Sequence, residues 1–257
     1  ILFDPNMIGL LHEALEFELK NLGYSAVLWE YDLDFDESEP ELEKTGFQIE
    51  LELQPSQTII NDLRVADIMA AIPSKNARRN IKRGQKKVEE NGLEFSIVKK
   101  ISDEELAQVH KLMLMVGEDK DFSVRSIEYF KSLQEIVADT IWFIFKNRQG
   151  EIVLANLGII FNGKYSDLYV GKIPDYDRDY LSYVLKFNSF NWLKENGYSF
   201  YDHWGYSDDP RSPRYHFSQF KAHFGGKVIN FPKIRFISKY PRFISQIGLK
   251  LFGSKLG

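Results

Sequence analysis

The stretch from Ile141 to Lys172, IWFIFKNRQGEIVLANLGIIFNGKYSDLYVGK, decides the fold class. It contains three runs, IWFIFKN, IVLANLGIIF and YSDLYVGK, that are rich in β-branched and aromatic residues, the composition of buried strands. NRQG and NGK lie between them, and such sequences at this spacing make hairpin turns. Three consecutive antiparallel strands are therefore predicted.

Upstream, Pro73-Ser74 reads as a helix start, KNARRNIKRGQKKVEE as the helix and Gly92 as the residue beyond its end. LEFSIVKKI is a strand. Ser102 with Glu105 forms a capping box for a helix to about Met115, and SIEYFKSLQEIV is a further helix. Downstream, residues 177–196 place Leu181, Val184, Leu185, Asn188 and Trp192 on one helical face. YSFYDHWG is read as the final core strand, and FSQFKAHFGG (217–226) as a helix closed by two glycines. Nearer the N-terminus, residues 7–22 have a helical pattern, while SAVLWEYDL and FQIELELQ look like strands. The order predicts an α+β or α/β protein around a largely antiparallel sheet.

At 257 residues, 44% of them apolar and 27% charged, the chain has the composition of an ordinary globular protein. It lacks cysteine, which removes disulfides, thiolate nucleophiles and cysteine-ligated metals. The net charge of −4 conceals an asymmetry. Seven cations and no acid lie between Lys75 and Lys87, and six cations and no acid follow from Lys233 to the end. Seven carboxylates crowd into residues 31–43. That acidic run is read as a solvated loop, because an EF-hand would need a glycine at its sixth position. The basic helix fits either a solvated face or an anionic partner such as RNA.

Several chemistries find no support. The sequence has no G-x-S-x-G elbow, no P-loop and no G-x-G-x-x-G. His203, His216 and His223 do not have zinc spacing, so neither a metal nor a cofactor is expected. Lys221, set among Phe217, Phe220 and Phe224, could be a snorkelling surface lysine or the charged tip of an active site.

Six strings stand in one order: TIINDL (58–63), ARRNIKRGQKKVEENGLEF (77–95), VRSIEYF (124–130), SDLYVGK (166–172), YDHWG (201–205) and FSQFKAHFGG (217–226). Together they resemble the FemABX superfamily, the aminoacyl-tRNA-dependent transferases that build peptidoglycan bridges. The resemblance implies two GNAT-like subdomains with mixed, largely antiparallel sheets flanked by helices. The second would span 61–231, and a partial first would comprise 1–60 plus 232–257, with its N-terminus expected to be trimmed. Only VEENG separates the basic helix from the next strand, so no coiled-coil arm is expected.

The resemblance also implies roles. Arg125 and Tyr129, four apart and expected on one helix face, match residues that hold the precursor's diphosphate, and Tyr169 matches another substrate contact. Phe220 and Lys221 match the pair that meets the acceptor end of the tRNA, with Lys221 as catalytic charge stabiliser. Arg78, Arg79 and Lys82 would face the tRNA. The implied partners are aminoacyl-tRNA and a UDP- or lipid-linked muropeptide precursor, met in the cytoplasm. The basic tail is read as either an amphipathic membrane contact or a segment packed on the first subdomain. Two other readings remain open here: an N-acyltransferase of the same fold acting on a different amine, and a non-catalytic RNA- or envelope-binding protein.

Overall fold

The computed structural model describes residues 17, 21, 26–29, 47–48, 57–120, 123–174, 176, 180–212, 215–230 and 235–238. Most of the sequence-predicted helix over 7–22, where only Phe17 and Asn21 are described and both are helical, lies outside the described residues, as do the acidic loop over 31–43 and most of the basic tail.

Two compact units divide the chain, Ile1–Thr58 with Gly205–Ser207 and Val228–Gly257, and Ile59–Trp204 with Asp208–Lys227. The first contains a three-stranded sheet in which β10 (Arg235–Ser238) pairs antiparallel with both β1 (Ala26–Trp29) and β2 (Phe47–Gln48).

The larger sheet has seven strands. In chain order they are β3 (Gln57–Asp62), β4 (Glu94–Val98), β5 (Thr140–Lys146), β6 (Ile152–Phe161), β7 (Lys164–Lys172), β8 (Phe200–Asp202) and β9 (Lys227–Asn230). Their spatial order is β4-β5-β6-β7-β8-β3-β9. The three predicted central strands pair antiparallel through both hairpin turns. β7 and β8 instead run parallel, because a helix, α5 (Leu181–Glu195), crosses over between them.

Alternation on β5 shows how the two sides are filled. Ile141, Phe143 and Phe145 join one buried cluster, and Trp142 and Ile144 join the other, as a period of two requires. The first cluster holds α1 (Ile68–Ala71), α2 (Lys75–Asn91) and α5 against the sheet. The second is covered by α3 (Asp103–Lys120) and α4 (Ile127–Ile136).

Local chemistry sets the helix ends. Ser74 caps α2 by accepting from the Ala77 N–H at 3.2 Å, and Gly92 ends it at φ 63°. Ala77, Ile81 and Gly84 form its buried stripe, and burying Ile81 contributes about 1.5–3 kcal/mol. A two-residue turn, Gly92–Leu93, then leads directly into β4, with no arm. The Ser102–Glu105 capping box forms in both directions, at 3.0 and 3.2 Å. Its helix continues past Met115 to Lys120, because nothing in the sequence before Lys120 stops it except Gly117, which a helix tolerates.

Three expectations need correction. α5 begins at Leu181 rather than 177, and its buried face includes Lys186, Ser189 and Phe190, whereas Asn188 and Trp192 are only half-buried. YSFYDHWG narrows to Phe200–Asp202 and is not the last strand, since β9 and β10 follow. Arg125 lies outside α4, just before the N-cap Ser126, whose hydroxyl accepts from the Tyr129 N–H.

Candidate functional site

β7 and β8 are paired over three residues only, from Lys164↔Phe200 to Ser166↔Asp202. Beyond that point β7 runs on to Lys172, while the chain after β8 stays with β3 through His203 N–H donating to the Ile59 carbonyl at 2.9 Å. The two parallel strands therefore part, and Asp167 is the first β7 residue inside the fork.

Asp167 is buried and multiply held. The Asn156 amide and the Lys186 ammonium both donate to its carboxylate, and the Tyr201 hydroxyl donates at 2.9 Å. Tyr165 donates to Asn156 Oδ1 at 2.9 Å. All five residues are at most 7% exposed. Burial, reinforced by the Asp167 charge, pushes the phenols of Tyr165 and Tyr201 well up. Gly158 makes room for this arrangement, since a Cβ there would lie 2.2 Å from the Tyr165 ring. Sequence reasoning missed this network. The available signal was an aspartate at the middle of a strand, flanked closely by Tyr165, Leu168, Tyr169 and Val170.

Above the network lies α6 (Tyr215–Ala222). The half-buried Phe220 ring sits 6.0 Å from the Lys186 ammonium and edge-on to Tyr183 at 4.9 Å. The Lys221 ammonium donates to the carbonyl of Trp204. Trp204 itself sits at φ 47°, a left-handed conformation rarely taken by a bulky residue and typical of functional sites. The turn after α6 is set tightly against β3. Gly226, at φ 101°, would bring a Cβ within 2.7 Å of the Ile60 carbonyl oxygen, which explains the glycine pair in FSQFKAHFGG.

His203, 1% exposed, also lies at this end of β8, with Nε2 2.7 Å from Asn61 Oδ1. Burial first, then the charges of Lys186 and Lys221, hold its basicity well below the ordinary imidazole value of 6.5. The unfolded chain thus binds a proton that the native state refuses. Stability is fully present above pH 6.5 and declines as pH falls below it toward the depressed native value, with a slope approaching about 1.4 kcal/mol per pH unit. Urea unfolding of the wild type and of His203→Gln across that window measures this, and the substitution should flatten the slope.

On the opposite face of β7 the structure brings Arg125, Tyr129 and Tyr169 together. The Tyr169 hydroxyl donates to that of Tyr129 at 3.2 Å, and the Arg125 guanidinium lies 5.9 Å from the centre of the Tyr129 ring. His110 Nε2 lies 2.9 Å from the Arg125 carbonyl. Burial, and then the Tyr129 hydroxyl, push the Tyr169 phenol up, with Arg125 pulling the other way.

A β-bulge allows Asp167 and Tyr169, two residues apart, to face opposite sides. Gly158 pairs with Asp167 and Leu157 with Tyr169, leaving Leu168 as the extra residue. Tyr169 thereby reaches the cluster with Phe130, 4.8 Å away ring to ring, while Asp167 faces α5.

The basic helix presents Lys75, Arg78, Arg79, Lys82, Arg83 and Lys86 around a shallow depression of about 420 Å³. These cations recur at helical spacing on one stripe. Arg78 is partly committed elsewhere, because one of its Nη atoms donates to the carbonyls of Ile72 and Pro73 at the α1–α2 corner. Arg79 donates to Asn76 at 2.9 Å and Lys82 is exposed. Among the described residues, the hydrogen bonds of Arg78 and Arg79 stay within α2 and its corner with α1, and neither these two nor Lys82 is tied to the side chains on either face of β7.

Residues 75–215, more than half of the chain, match the acetyltransferase (GNAT) domain family. The chain belongs to that family. Among solved structures, this GNAT protein superposes on FemX with a TM-score of 0.76 at 14% identity, over 96% of this chain and 79% of FemX. It matches L-PGS from Bacillus licheniformis with a TM-score of 0.59 at 19% identity, over 94% and 77%. A tandem GNAT protein from the clavulanic acid biosynthesis pathway gives 0.54 at 12%, over 91% and 70%. The shared property is the fold, which is FemABX-like. No curated protein matches the sequence of this GNAT chain.

Proposed function

We propose that this chain transfers an amino acid from aminoacyl-tRNA to the peptide amine of a peptidoglycan precursor. One observation carries the reading: a single forked strand has the Phe220–Lys221 pair on the α5–α6 side and the Arg125–Tyr129–Tyr169 cluster on the other. Likeness in fold to FemX supports it. On this reading the two units are two GNAT-like subdomains, and the protein works in the cytoplasm.

The chemistry follows from the side chains. The Phe220 ring offers a π face to a terminal base. Arg125 offers its guanidinium fork to diphosphate oxygens, and the Tyr129 and Tyr169 hydroxyls flank it. The precursor amine attacks the ester carbonyl carbon, forming the C–N bond and placing negative charge on the carbonyl oxygen. The ester C–O bond then breaks, the ribose oxygen leaves, and the proton lost by the amine balances the one gained by the ribose hydroxyl. The Lys221 ammonium stabilises the developing oxyanion. No protein nucleophile is needed.

The test is transfer of labelled amino acid from a panel of charged tRNAs to soluble and lipid-linked muropeptide precursors. Product with none of these donors and acceptors would sink the reading. The family description favours a second one, acyl transfer from a smaller donor to a non-peptidoglycan amine; product from acetyl-CoA and an amine panel alone would establish it.

The α2 stripe gives an independent check on the donor. Replacing both Arg79 and Lys82 with glutamine should weaken tRNA binding evenly across tRNAs. It should also reduce the steepness of the log K against log salt plot by about 1 for each phosphate no longer neutralised. Filter binding over a salt series reads this.

A further inference from the structure

The Lys221 side chain closes a circuit of hydrogen bonds that ties together three separate elements. Phe224 N–H donates to the Lys221 carbonyl at 3.1 Å, and the Phe224 carbonyl accepts from the Asn61 amide of β3 at 3.0 Å. Asn61 Oδ1 lies 2.7 Å from His203 Nε2. His203 is bonded through the chain to Trp204, whose carbonyl accepts from the Lys221 ammonium. We propose that Asn61 and His203 are positioning residues for Lys221, fixing its ammonium where the oxyanion forms. This rests on the reading of Lys221 as the charge stabiliser.

The geometry fixes the proton. Because Asn61 spends an amide hydrogen on the Phe224 carbonyl, its oxygen is the acceptor, and His203 must carry its hydrogen on Nε2. Nδ1 is then a bare acceptor, and among the described residues it has no hydrogen-bond partner although the ring is 1% exposed. A buried unmatched nitrogen is costly, and an apolar side chain would fill the same space without that cost. The imidazole is thus explained by what its Nε2–H does for Asn61, not by packing.

Charge keeps the circuit in one state. His203 faces Lys186 from α5 and Lys221 from α6, and is ringed by Phe190, Tyr201 and Phe224. On β8, the Asp202 carboxylate is engaged by the Trp204 N–H at 2.8 Å and Lys164 at 3.4 Å, and on β7 Asp167 is held by Lys186. A second proton on His203 would add a third cation to the two lysines. It would also turn Nδ1 into a donor with nothing among the described residues to receive it.

The test is a double-substitution cycle on the full chain, with charged tRNA and muropeptide precursor. Asn61→Ala should lower kcat about ten-fold or more, with KM for the precursor within about two-fold, yet change the rate of a Lys221→Ala protein less than about two-fold. Equal fold losses in both backgrounds would overturn the inference. Asn61→Asp, which sets a carboxylate opposite Nε2, should move the acid limb of the kcat profile up by about one pH unit; an unmoved limb counts against it. If Asn61→Ala shows no cooperative melt, the Asn61→Asp profile decides.

Should the wild type transfer nothing, the functional reading fails, and nuclear magnetic resonance judges the positioning separately. Two-bond ¹H–¹⁵N spectra should show His203 as the neutral Nε2–H tautomer. The Lys221 ammonium should give a hydrogen-bonded signal that Asn61→Ala releases. An Nδ1–H tautomer, or a Lys221 signal indifferent to Asn61, overturns the inference whatever the activity.

Discussion

Lys221→Ala is expected to lower aminoacyl transfer about 10²–10³-fold, the usual loss when one preorganised stabiliser of a developing oxyanion is removed. The effect should fall on kcat, because the ammonium meets full negative charge only in the transition state. Folding should survive. The lysine is half-buried and its ammonium donates to the Trp204 carbonyl, so its removal costs about 1 kcal/mol of stability, read as a small fall in Tm. Lys221→Arg should recover little, since a planar guanidinium cannot occupy the position of a compact ammonium. Steady-state transfer kinetics with both variants, alongside thermal melts, measure this. A Lys221→Ala protein with wild-type kcat would remove the proposed chemistry and favour a binding role.

The largest stability effect is expected from Lys186→Met. The Lys186–Asp167 pair is 6% and 7% exposed at its side chains. Methionine nearly preserves the volume but leaves the Asp167 carboxylate in the core with, among the described residues, Asn156 and Tyr201 alone to hold it. Breaking one partner of a buried pair typically costs about 3–5 kcal/mol, a large part of the stability of a domain. Adding Asp167→Asn in the same chain removes the stranded charge and should restore much of the loss. Urea denaturation of the two single variants and the double variant reads the cycle. Additive losses would show that the two groups do not act as a pair. Because the Phe220 ring lies over the Lys186 ammonium, the single variant should also raise KM for the charged tRNA.

Much of the fold was legible because it rests on local rules. The hairpins of β5, β6 and β7 follow from turn spacing, and α2 from Ser74 at one end and Gly92 at the other. The Ser102–Glu105 box fixes where α3 begins, while its end comes later than expected because no strong stop lies near Met115. The candidate site was legible only as separate strings. What joins them is long-range: the parallel pairing of β7 with β8, and the contact between Asn61 and His203 across 142 residues. Lys186 was invisible for a related reason. A lysine beside Leu185 reads as the edge of a solvated face, and it takes Asp167 from β7, with the Tyr201 hydroxyl, to make its burial tolerable. The helical reading of Arg125 failed because a serine just after it captured the N-cap.

The bulge at Leu168 separates two properties that a regular strand would lock together, namely which way a side chain points and how far along the strand it lies. In an unbroken β7, Tyr165, Asp167, Tyr169 and Gly171 would all look the same way. The extra residue instead places the first two toward α5 and the last two toward α3 and α4, where Tyr169 meets Phe130 and a Cβ at Gly171 would lie 3.0 Å from Leu112 Cβ and Met113 N. Removing Leu168 would therefore shorten the span between Asp167 and Tyr169 by one residue without exchanging their faces. β7 thus has one position at which the spacing between the Asp167 side and the Tyr169 side can be adjusted as a matter of length alone, leaving the side chains of each side in place.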